Sequence, residues 1–469
     1  MTAILGISAF YHDAAAALVV DGKIAAAAEE ERFSRKKHDS DFPIQAIEWC
    51  LEKAEIRPES LDYVAFYDKP FLKFDRLLES HLAYAPRSFE SFARAMPVWL
   101  KQKLWIPREM RAALKGAYQK NFIFTEHHEA HAAAAFFPSP FEDAAILTMD
   151  GVGEWATASF GVGRGNQIQL EQAMRFPHSP GLLYTAFTTY AGFQANSDEY
   201  KLMGLAPYGE PVFYERILDQ LIDLKEDGSF WMDMSYFEFA ASLRMTNPKF
   251  EDLFGAPTRE ANGPIEQHTM DVAASIQKVI EEIVLRSAKH VHARTGMKNL
   301  CLSGGVALNC VANGRVMREG PFDEIWVQPA AGDSGSALGA ALFVWHQLLK
   351  EPRTPVAPDA QQASLLGPEF ATEEIAALLE EEHVRFTRID DEKELADAVS
   401  TRLEAGNVVG WFQGRMEFGP RALGNRSILA DPRQPDMQGT INRKVKFREG
   451  YRPFAPAVLK ESIDEFFDW

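Results

Sequence analysis

The chain has 469 residues, of which 46% are hydrophobic and 25% are charged. This composition is typical of a globular protein with more than one core, and it excludes the disordered and collagen-like classes. The 49 Lys and Arg residues against 67 Asp and Glu residues give a formal net charge of −18, which makes nucleic acid a disfavoured partner except at a local basic patch.

Targeting and disulfide signals are weak in this sequence. Residues 1–7 lack the basic n-region of a signal peptide, so we expect none. Apolar runs stay well below the about 18 residues that span a bilayer, so we expect no membrane partner. Cys50, Cys301 and Cys310 are too few and too scattered for a disulfide framework, which indicates reduced thiols. We therefore expect a cytoplasmic protein.

The predicted elements begin with an antiparallel meander. Residues 3–8 and 15–20 are short apolar runs typical of strands, and Asp21-Gly22 after the second run is a two-residue hairpin signal. A second strand, glycine turn and strand follow over 144–163, which indicates that the fold starts twice. Helical periodicity fills the intervals. The predicted helices cover 42–55, 127–136, about 270–294 and 335–350, and an apolar strand over 300–305 runs into a small-residue turn.

A proline-rich stretch divides the chain. Residues 351–365 contain three prolines and little apolar content, so we place a linker there. The first domain, 1–350, has a second subdomain starting near 144, and the second domain covers 366–469. In the second domain we predict a helix over 392–405 and a buried strand over 408–412. Because the chain ends on an apolar aromatic cluster, we expect this domain to be incomplete at its C-terminus.

A segment of the first domain is unusually basic. Residues 71–120 hold aromatic and basic residues at helical spacing in an otherwise acidic chain. One interpretation is surface helices whose Arg and Lys stems cover an apolar face. The other is a cap that binds the acceptor over the cleft of the first domain, which only the position of the segment favours.

Two histidines lie one helical turn apart in the string HHEAH. His127 and His131 are at positions i and i+4, which puts both imidazoles on one helix face. The string is not the zincin motif HExxH, because position 132 is alanine. Asp150 and Asp333, two acids beside glycines at predicted strand ends, are candidates for further ligands. Such a set suits Fe(II), Mn or Zn; the alternative is a pair of solvated or core histidines.

Glycine turns follow two predicted strands of the first domain. Ser303-Gly304-Gly305 precedes a helix that includes Asn309, and its amides are suited to an anionic phosphate at a helix N-terminus. The alternative is an ordinary tight turn. A similar turn over 332–336 favours a nucleotide cleft.

Polar residues elsewhere are further candidates. Lys201, in a glycine- and proline-marked stretch, is suited to binding a phosphoryl or carbamoyl oxygen, or it lies in a loop as a solvated lysine. His12-Asp13, between the first two strands, offers a base beside a carboxylate, or a surface turn. In the second domain, Lys446 and Arg448 lie two apart on a predicted strand and could clamp a phosphate together; solvated charge is the alternative.

Together these strings resemble the carbamoyltransferase family of nodulation-factor and antibiotic biosynthesis. The resemblance covers nearly the whole chain, because its motifs occur in order. They are HDAAAALVVDGKI, HHEAH, LTMDGVGEWAT, EYKLMGLAPYG, LSGGVALN, PAAGDSGSALGAA and GRMEFGPRALGNRSI.

The resemblance implies an α/β fold with two parts. The first is a duplicated actin-like ATPase (ASKHA) domain, similar to the universal tRNA-threonylcarbamoylation transferase. The second is an α/β domain similar to threonylcarbamoyl-AMP synthase, and the family's version continues past the point where this chain ends.

The resemblance also implies an ATP-dependent O-carbamoyltransferase. Its second domain makes carbamoyl adenylate from carbamoyl phosphate and ATP with Mg²⁺, and its first domain holds the adenylate on a metal, Fe(II) with Mn or Zn as alternatives, while a small sugar or natural-product hydroxyl attacks. The implied metal ligands are His127, His131, Asp150 and Asp333. The implied base is His12, and the implied phosphate ligands are Arg421, Lys446 and Arg448. With the candidates named above, we also predict that Asp13 and Lys201 take part in catalysis and that Ser303, Gly304, Gly305 and Asn309 bind the nucleotide.

Other functions stay open from the sequence. An actin-like sugar kinase would use Mg²⁺ rather than an imidazole-bound metal, and a non-catalytic scaffold would keep a nucleotide cleft without turnover. Transfer to tRNA is the weakest alternative because of the acidic charge. The sequence also leaves a homodimer open.

Overall fold

The computed structural model describes residues 1–468, which divide into two compact units. The first unit comprises residues 1–371 and 413–425, and the second comprises residues 372–412 and the chain from 426 on. The linker over 351–365 and the domain bounds 1–350 and 366–469 stay a prediction.

The first half of the first unit is a five-stranded sheet with the strand order β3-β2-β1-β4-β5. The first three strands are antiparallel, and β4 and β5 continue the sheet in parallel. Asp21 and Gly22 form the predicted hairpin turn, with φ of 45° and 77° as a type I′ turn requires. The strands are β1 Ala3–Ser8, β2 Ala15–Val20, β3 Lys23–Glu29, β4 Tyr63–Phe66 and β5 Ile123–Phe124, and the helices are α1 Glu31–Ser34, α2 Ile44–Lys53, α3 Pro70–Ala83, α4 Phe89–Lys101, α5 Ile106–Ala113 and α6 His127–Phe136.

The second half repeats this arrangement. Its sheet has the order β12-β11-β6-β7-β8, so its strands take the same places as those of the first sheet, again with three antiparallel strands and two added in parallel. This repeat confirms the duplicated α/β fold. The strands are β6 Asp143–Met149, β7 Ala156–Arg164, β8 Gln167–Arg175, β11 Asn299–Ser303 and β12 Glu324–Val327, with a small hairpin of β9 Ile222–Leu224 and β10 Phe230–Met232. The helices are α7 Pro180–Tyr190, α8 Glu199–Leu205, α9 Tyr214–Gln220, α10 Pro248–Phe254, α11 Gln267–Thr295, α12 Cys310–Glu319 and α13 Asp333–Phe343.

Helix α13 packs unusually close to its neighbours. A Cβ added at Gly6 of β1 would lie 1.9 Å from the carbonyl oxygen of Ala337, and one added at Gly339 would lie 1.8 Å from that of Ala130 in α6. Only glycine allows such an approach. The three elements therefore form one tightly packed core that fixes where α6 and α13 begin.

The second unit has less regular structure and corrects two predictions. Val409–Phe412 is a strand as predicted, but it is not buried. It pairs only with Arg426–Leu429 in a two-stranded sheet, and its residues alternate between half-buried and exposed. Lys446 and Arg448 do not lie on a strand, because they follow a π-helical turn over Ile441–Val445. The elements are β13 Val409–Phe412, β14 Arg426–Leu429, α14 Thr372–Glu381, α15 Glu392–Glu404, α16 Met437–Thr440 and α17 Ile463–Phe466.

Helix length and polarity also bear on membrane insertion. Across residues 1–468, no helix combines the length and the apolar character that a bilayer crossing needs.

Candidate functional site

The candidate ligands come from two helices that start at corresponding places in the two halves. Helix α6 follows β5 and begins at His127, where a capping box formed by Glu126 and Glu129 satisfies the first backbone amides. Helix α13 follows β12 and begins at Asp333. Asp333 therefore opens a helix, which corrects the prediction of a strand end, whereas Asp150 does follow the end of β6.

The four predicted ligands meet in the core of the first unit. Their ligand atoms all lie within 4.8 Å of one another, and all four residues are buried. Asp150 Oδ2 lies 2.9 Å from His127 Nε2 and 3.8 Å from His131 Nε2. Asp333 Oδ1 lies 3.7 and 3.8 Å from the same two nitrogens, which are 3.2 Å apart. Two imidazoles and two carboxylates thus converge on one point.

These residues fit a bound divalent cation. Asp333 Oδ1 is buried and has no hydrogen-bond partner, although it faces both imidazoles. A buried carboxylate oxygen without a partner is costly unless a cation or proton satisfies it. Because two nitrogen and two oxygen ligands suit Fe(II), Mn and Zn, the donor set agrees with such an ion.

Burial and hydrogen bonding shift the pKa values of His127, Asp150 and Asp333 in different directions. Burial lowers the pKa of His127 far below its ordinary value, and Lys73 adds to the effect. Burial opposes ionisation of Asp150, but hydrogen bonds from His127 and His131 hold the pKa of this carboxyl well below its ordinary value. Burial raises the pKa of Asp333, and the charge of Asp150 adds to the increase. A cation at the centre would stabilise both carboxylates.

A second layer of hydrogen bonds orients the ligands. The other ring nitrogen of His131, Nδ1, lies 3.1 Å from Ser336 Oγ and 3.5 Å from Ser303 Oγ. The backbone amide of His127 donates to the Glu154 carboxylate at 3.1 Å. Partners of this kind fix ring orientation around metals. Ser303, predicted as a phosphate ligand, is thus placed beside a histidine of the cluster.

The predicted glycine turn touches the cluster directly. Gly304 has a φ of 88°, and a Cβ there would lie 2.2 Å from the carbonyl oxygen of Met149. The next amide, Gly305 N, donates to Asp150 Oδ1 at 3.1 Å. Asn309 lies farther along and is held by a pair of amide hydrogen bonds to Gln277, at 3.0 and 3.1 Å. A role for this turn in phosphate binding stays a prediction.

His12 and Asp13 lie in the loop between β1 and β2, as predicted, and a third residue joins them. Asp13 accepts hydrogen bonds from His12 Nδ1 at 2.9 Å and from His38 Nδ1 at 2.7 Å. Burial lowers the pKa of His12, but the charge of Asp333 and the bond to Asp13 outweigh it and raise the pKa to about 9. His38 was not predicted, because no helical or strand periodicity connects the loop over 35–41 with the first loop.

Lys201 and Arg421 both belong to the first unit, and Arg421 lies against Tyr200, the residue before Lys201. Lys201 is in the short helix α8, not in a loop, and its ammonium lies 2.9 Å from Asp198 Oδ2. The Arg421 guanidinium lies over the ring of Tyr200 at 5.4 Å, and Lys37 donates to the hydroxyl of the same tyrosine at 2.9 Å. The segment 413–425 thus brings a predicted phosphate ligand to α8.

Arg448 and Lys446 belong to the second unit. Arg448 Nε donates to Asn442 Oδ1 at 2.7 Å, and its guanidinium lies over the ring of Phe454 at 4.9 Å. The backbone amide of Lys446 donates to the carbonyl of Ile441 at 2.8 Å, which closes the π-helical turn. A role for Lys446 and Arg448 in phosphate binding stays a prediction.

Sequence comparison gives two family matches and several relatives. A family described as carbamoyltransferase N-terminus matches residues 3–342, and one described as carbamoyltransferase C-terminus matches residues 400–469. An uncharacterized protein of Synechocystis sp. is 56% identical over 100% of this chain and 77% of its own length. Nodulation protein NolNO of Sinorhizobium fredii is 37% identical over 98% of this chain and 64% of its own length.

A third relative carries a named reaction. The 3'-hydroxymethylcephem-O-carbamoyltransferase of Amycolatopsis lactamdurans is 27% identical over 97% of this chain and 78% of its own length. This chain therefore spans only part of the length of each of these three relatives.

Proposed function

This chain belongs to the carbamoyltransferase family, and we propose that it transfers a carbamoyl group from carbamoyl phosphate to a hydroxyl of a small acceptor by way of carbamoyl adenylate, with ATP as the activating nucleotide. Membership of this family makes the chain a transferase. The acceptor class, the nucleotide and the intermediate are the proposal.

The observation that carries the proposal is the buried cluster of His127, His131, Asp150 and Asp333 beside a second histidine–carboxylate pair. A divalent cation held by these four residues would polarise the carbonyl oxygen of a carbamoyl group, which is otherwise a poor electrophile because its nitrogen donates into the carbonyl. We take Fe(II) as the first candidate, with Mn and Zn as alternatives.

His12 is the proposed general base. Its Nδ1 is bonded to Asp13, so Nε2 is the atom that would accept the proton of the attacking hydroxyl. Asp13 holds the ring orientation and stabilises the imidazolium that forms. The charge of Asp333 and the hydrogen bond to Asp13 raise the pKa of His12 to about 9. A cation that neutralised Asp333 would remove part of this increase and so favour the neutral imidazole that a general base needs.

The transfer step balances in atoms and charge. The acceptor oxygen forms a bond to the carbamoyl carbon, its proton passes to His12, and the bond from that carbon to the phosphate oxygen breaks with release of AMP. We propose that Lys201 and Arg421 face charge on the donor and that the amides over 303–305 face its phosphate. In the second unit, Lys446 and Arg448 would serve the earlier step. There water would cleave carbamoyl phosphate to carbamate and inorganic phosphate, and the carbamate oxygen would then attack the α-phosphate of ATP with release of pyrophosphate.

The test separates the two steps. Purified protein with Fe(II), ATP and carbamoyl phosphate is assayed for pyrophosphate release, and protein supplied with carbamoyl adenylate and a set of hydroxylated acceptors is assayed for a mass gain of one carbamoyl group. We expect Asp333→Asn to abolish transfer and to leave pyrophosphate release intact. Lys446→Gln and Arg448→Gln should do the reverse, with Arg433→Gln, an exposed arginine of the same unit, as the control.

Two outcomes would count against the proposal. No transfer from supplied carbamoyl adenylate to any acceptor, beside a working carbamoyltransferase, would overturn it. Phosphorylated acceptor with release of ADP would instead favour the alternative of an actin-like sugar kinase.

A further inference from the structure

Three cationic side chains of the helical segment after β4 are partly buried in this acidic protein, and the charge of Lys73 acts on Lys103. Lys73 and Arg76 lie one turn apart on α3, so they share a face of that helix. Lys103 is in a 3₁₀ turn that follows α4. None of the three is fully exposed, which distinguishes them from solvated surface lysines and arginines.

This cationic cluster, defined as Lys73, Arg76 and Lys103, lies beside the candidate metal ligands. The ring of Tyr67 has the Lys73 ammonium at 5.1 Å and the imidazole of His127 at 5.4 Å. The hydroxyl of the same tyrosine donates to Asp333 Oδ2 at 3.3 Å. One aromatic side chain therefore separates the lysine from the ligand cluster.

The start of α3 is tied to the start of α6. The carboxylate of Glu154 accepts from the backbone amide of Lys69, just before α3, at 2.9 Å, and from that of His127 at 3.1 Å. Both helices thus begin at one carboxylate. The face of α3 that carries Lys73 and Arg76 is fixed relative to the histidines.

The third cation is fixed against the loop that carries the proposed base. Lys103 Nζ donates to the carbonyl of Phe10 at 2.6 Å. Tyr11 follows Phe10, and its ring lies 4.7 Å from that of His12. Lys103 is therefore held against the loop that carries His12.

Arg76 forms no ion pair within 4 Å among residues 1–468, although the charge of Glu154 acts on it. Its Nε atom is buried without a hydrogen-bond partner, and its guanidinium rests over the ring of Phe176 at 5.0 Å. Burial lowers its pKa to about 10. Lys73, in contrast, is paired with Asp68 at 2.5 Å. A largely buried guanidinium with an unused donor is costly, and a bound anion would satisfy it.

We propose that Arg76, assisted by Lys73 and Lys103, binds an anionic group of the hydroxylated acceptor, a phosphate, a sulfate or a carboxylate. The guanidinium fork suits such groups. The assignment to the acceptor rests on the proposed function, because it depends on His12 being the base; the anion site itself does not. The same phosphate chemistry could come from the donor, so the experiment distinguishes the two sources.

The test measures binding without turnover. The full chain is titrated calorimetrically with inorganic phosphate and, separately, with AMP. We expect Arg76→Gln to weaken phosphate binding at least about ten-fold, the loss typical of one charge-assisted contact. The phosphate affinity of Arg76→Lys should lie between those of wild type and Arg76→Gln, because lysine keeps the positive charge but lacks the planar guanidinium group. The control is Arg108→Gln, an exposed arginine of α5 paired with Glu109, which should bind like wild type.

The outcomes decide the proposal and its source. Unchanged AMP affinity in Arg76→Gln, with weakened phosphate binding, supports an acceptor site, whereas an equal loss of AMP affinity overturns that assignment in favour of the donor phosphate. Phosphate that binds Arg76→Gln as tightly as wild type, or does not bind wild type, overturns the anion site. If Arg76→Gln does not fold, Lys103→Gln applies the same criteria. Failure of carbamoyl transfer would leave these binding results unaffected.

Discussion

The two oxygens of Asp333 have different surroundings, and the difference defines the site. Oδ2 accepts a hydrogen bond from Tyr67, whereas Oδ1 faces His127 and His131 and has no partner. Burial raises the pKa of Asp333, so a cation near Oδ1 would stabilise the charged form of this carboxylate.

Removal of one ligand should empty the site. We expect Asp333→Asn and His131→Ala to retain little metal after loading with Fe(II) or Zn and dialysis, with affinity reduced at least about 100-fold, because loss of an outer partner alone costs 10 to 100-fold. Metal content is measured by elemental analysis. The control is His128→Asn, because the middle histidine is bonded to Ser159 at 2.8 Å and is no part of the cluster. Equal metal content in all variants would contradict the ligand set.

A second change tests the proposed base through its partner. Asp13→Asn should lower kcat for transfer about 100-fold, the scale of general-base catalysis, and leave the KM for carbamoyl adenylate unchanged, since Asp13 orients His12 and is not proposed to touch the donor. Steady-state kinetics measures both values. Asp21→Asn, an exposed aspartate at the first hairpin turn, is the matched control; an unchanged kcat in Asp13→Asn would refute the orienting role.

The sequence predicted four residues that the structure brings together, but it did not predict their surroundings. His127 and His131 were recognisable because a spacing of four places both on one helix face. His38 and Arg76 were not recognisable, because their importance depends on loops and helices that meet only in three dimensions. Local spacing carries information about one element, and contacts between distant elements leave no comparable pattern.

Packing between elements holds the two ligand helices in place. Helix α13 lies against β1 at Gly6 and against α6 at Gly339, in both cases closer than any side chain allows. These contacts set the distance between Asp333 and the histidine pair, because both ends of that distance belong to the packed helices.

A methyl group at this contact should disturb both stability and the site. Gly339→Ala would place its Cβ against the carbonyl of Ala130, so we expect a loss of at least about 2 kcal/mol in the free energy of unfolding, together with reduced metal content. Denaturant titration and elemental analysis measure the two effects. Gly151→Ala, whose added Cβ meets nothing within 4 Å, should be close to wild type. Similar behaviour of the two variants would show that the contact does not position α13.

At the same scale, element type was easier to predict than element environment. The helices over 127–136 and 392–405 were predicted because their periodicity is local. The strand over 408–412 was placed correctly but was wrongly expected to be buried, since an apolar run does not reveal how many neighbours a strand has. Lys446 and Arg448 were wrongly placed on a strand for a similar reason.

Across the first unit, the duplication explains where the functional residues lie. The loop after the first strand of each half carries a candidate acid, Asp13 in one and Asp150 in the other. The helix after the last strand of each half begins with a ligand, His127 or Asp333. The site is therefore built from matching positions of two similar halves.

The stability of the whole chain should depend on pH through buried neutral histidines. Burial lowers the pKa of His346 to about 4 and that of His128 to about 3, against an ordinary value near 6.5. Between pH 6.5 and 4 the unfolded chain binds more protons than the folded chain, so the free energy of unfolding should fall as the pH falls, by up to about 1.4 kcal/mol per pH unit from each group.

Denaturant titrations at pH 6.5, 5.5 and 4.5 measure this slope, because these values span most of the window between the ordinary pKa of His346, near 6.5, and its shifted pKa of about 4. His346→Gln should show a shallower dependence than wild type, because the titrating imidazole is gone. Arg108→Gln serves as a surface control with an unchanged slope. Parallel slopes in wild type and His346→Gln would mean that this imidazole is not held neutral.

The origin of the four ligands in both halves has a mechanical consequence. His127 begins α6 and His131 lies one turn further along the same helix. Asp333 begins α13, and Asp150 follows the end of β6. An ion bound by all four residues would cross-link the two halves, because the halves could not separate without breaking a coordinate bond. Metal binding would then be coupled to the local opening of the two halves. We expect this coupling to appear as slower amide hydrogen exchange along β1 and β6 when the ion is present.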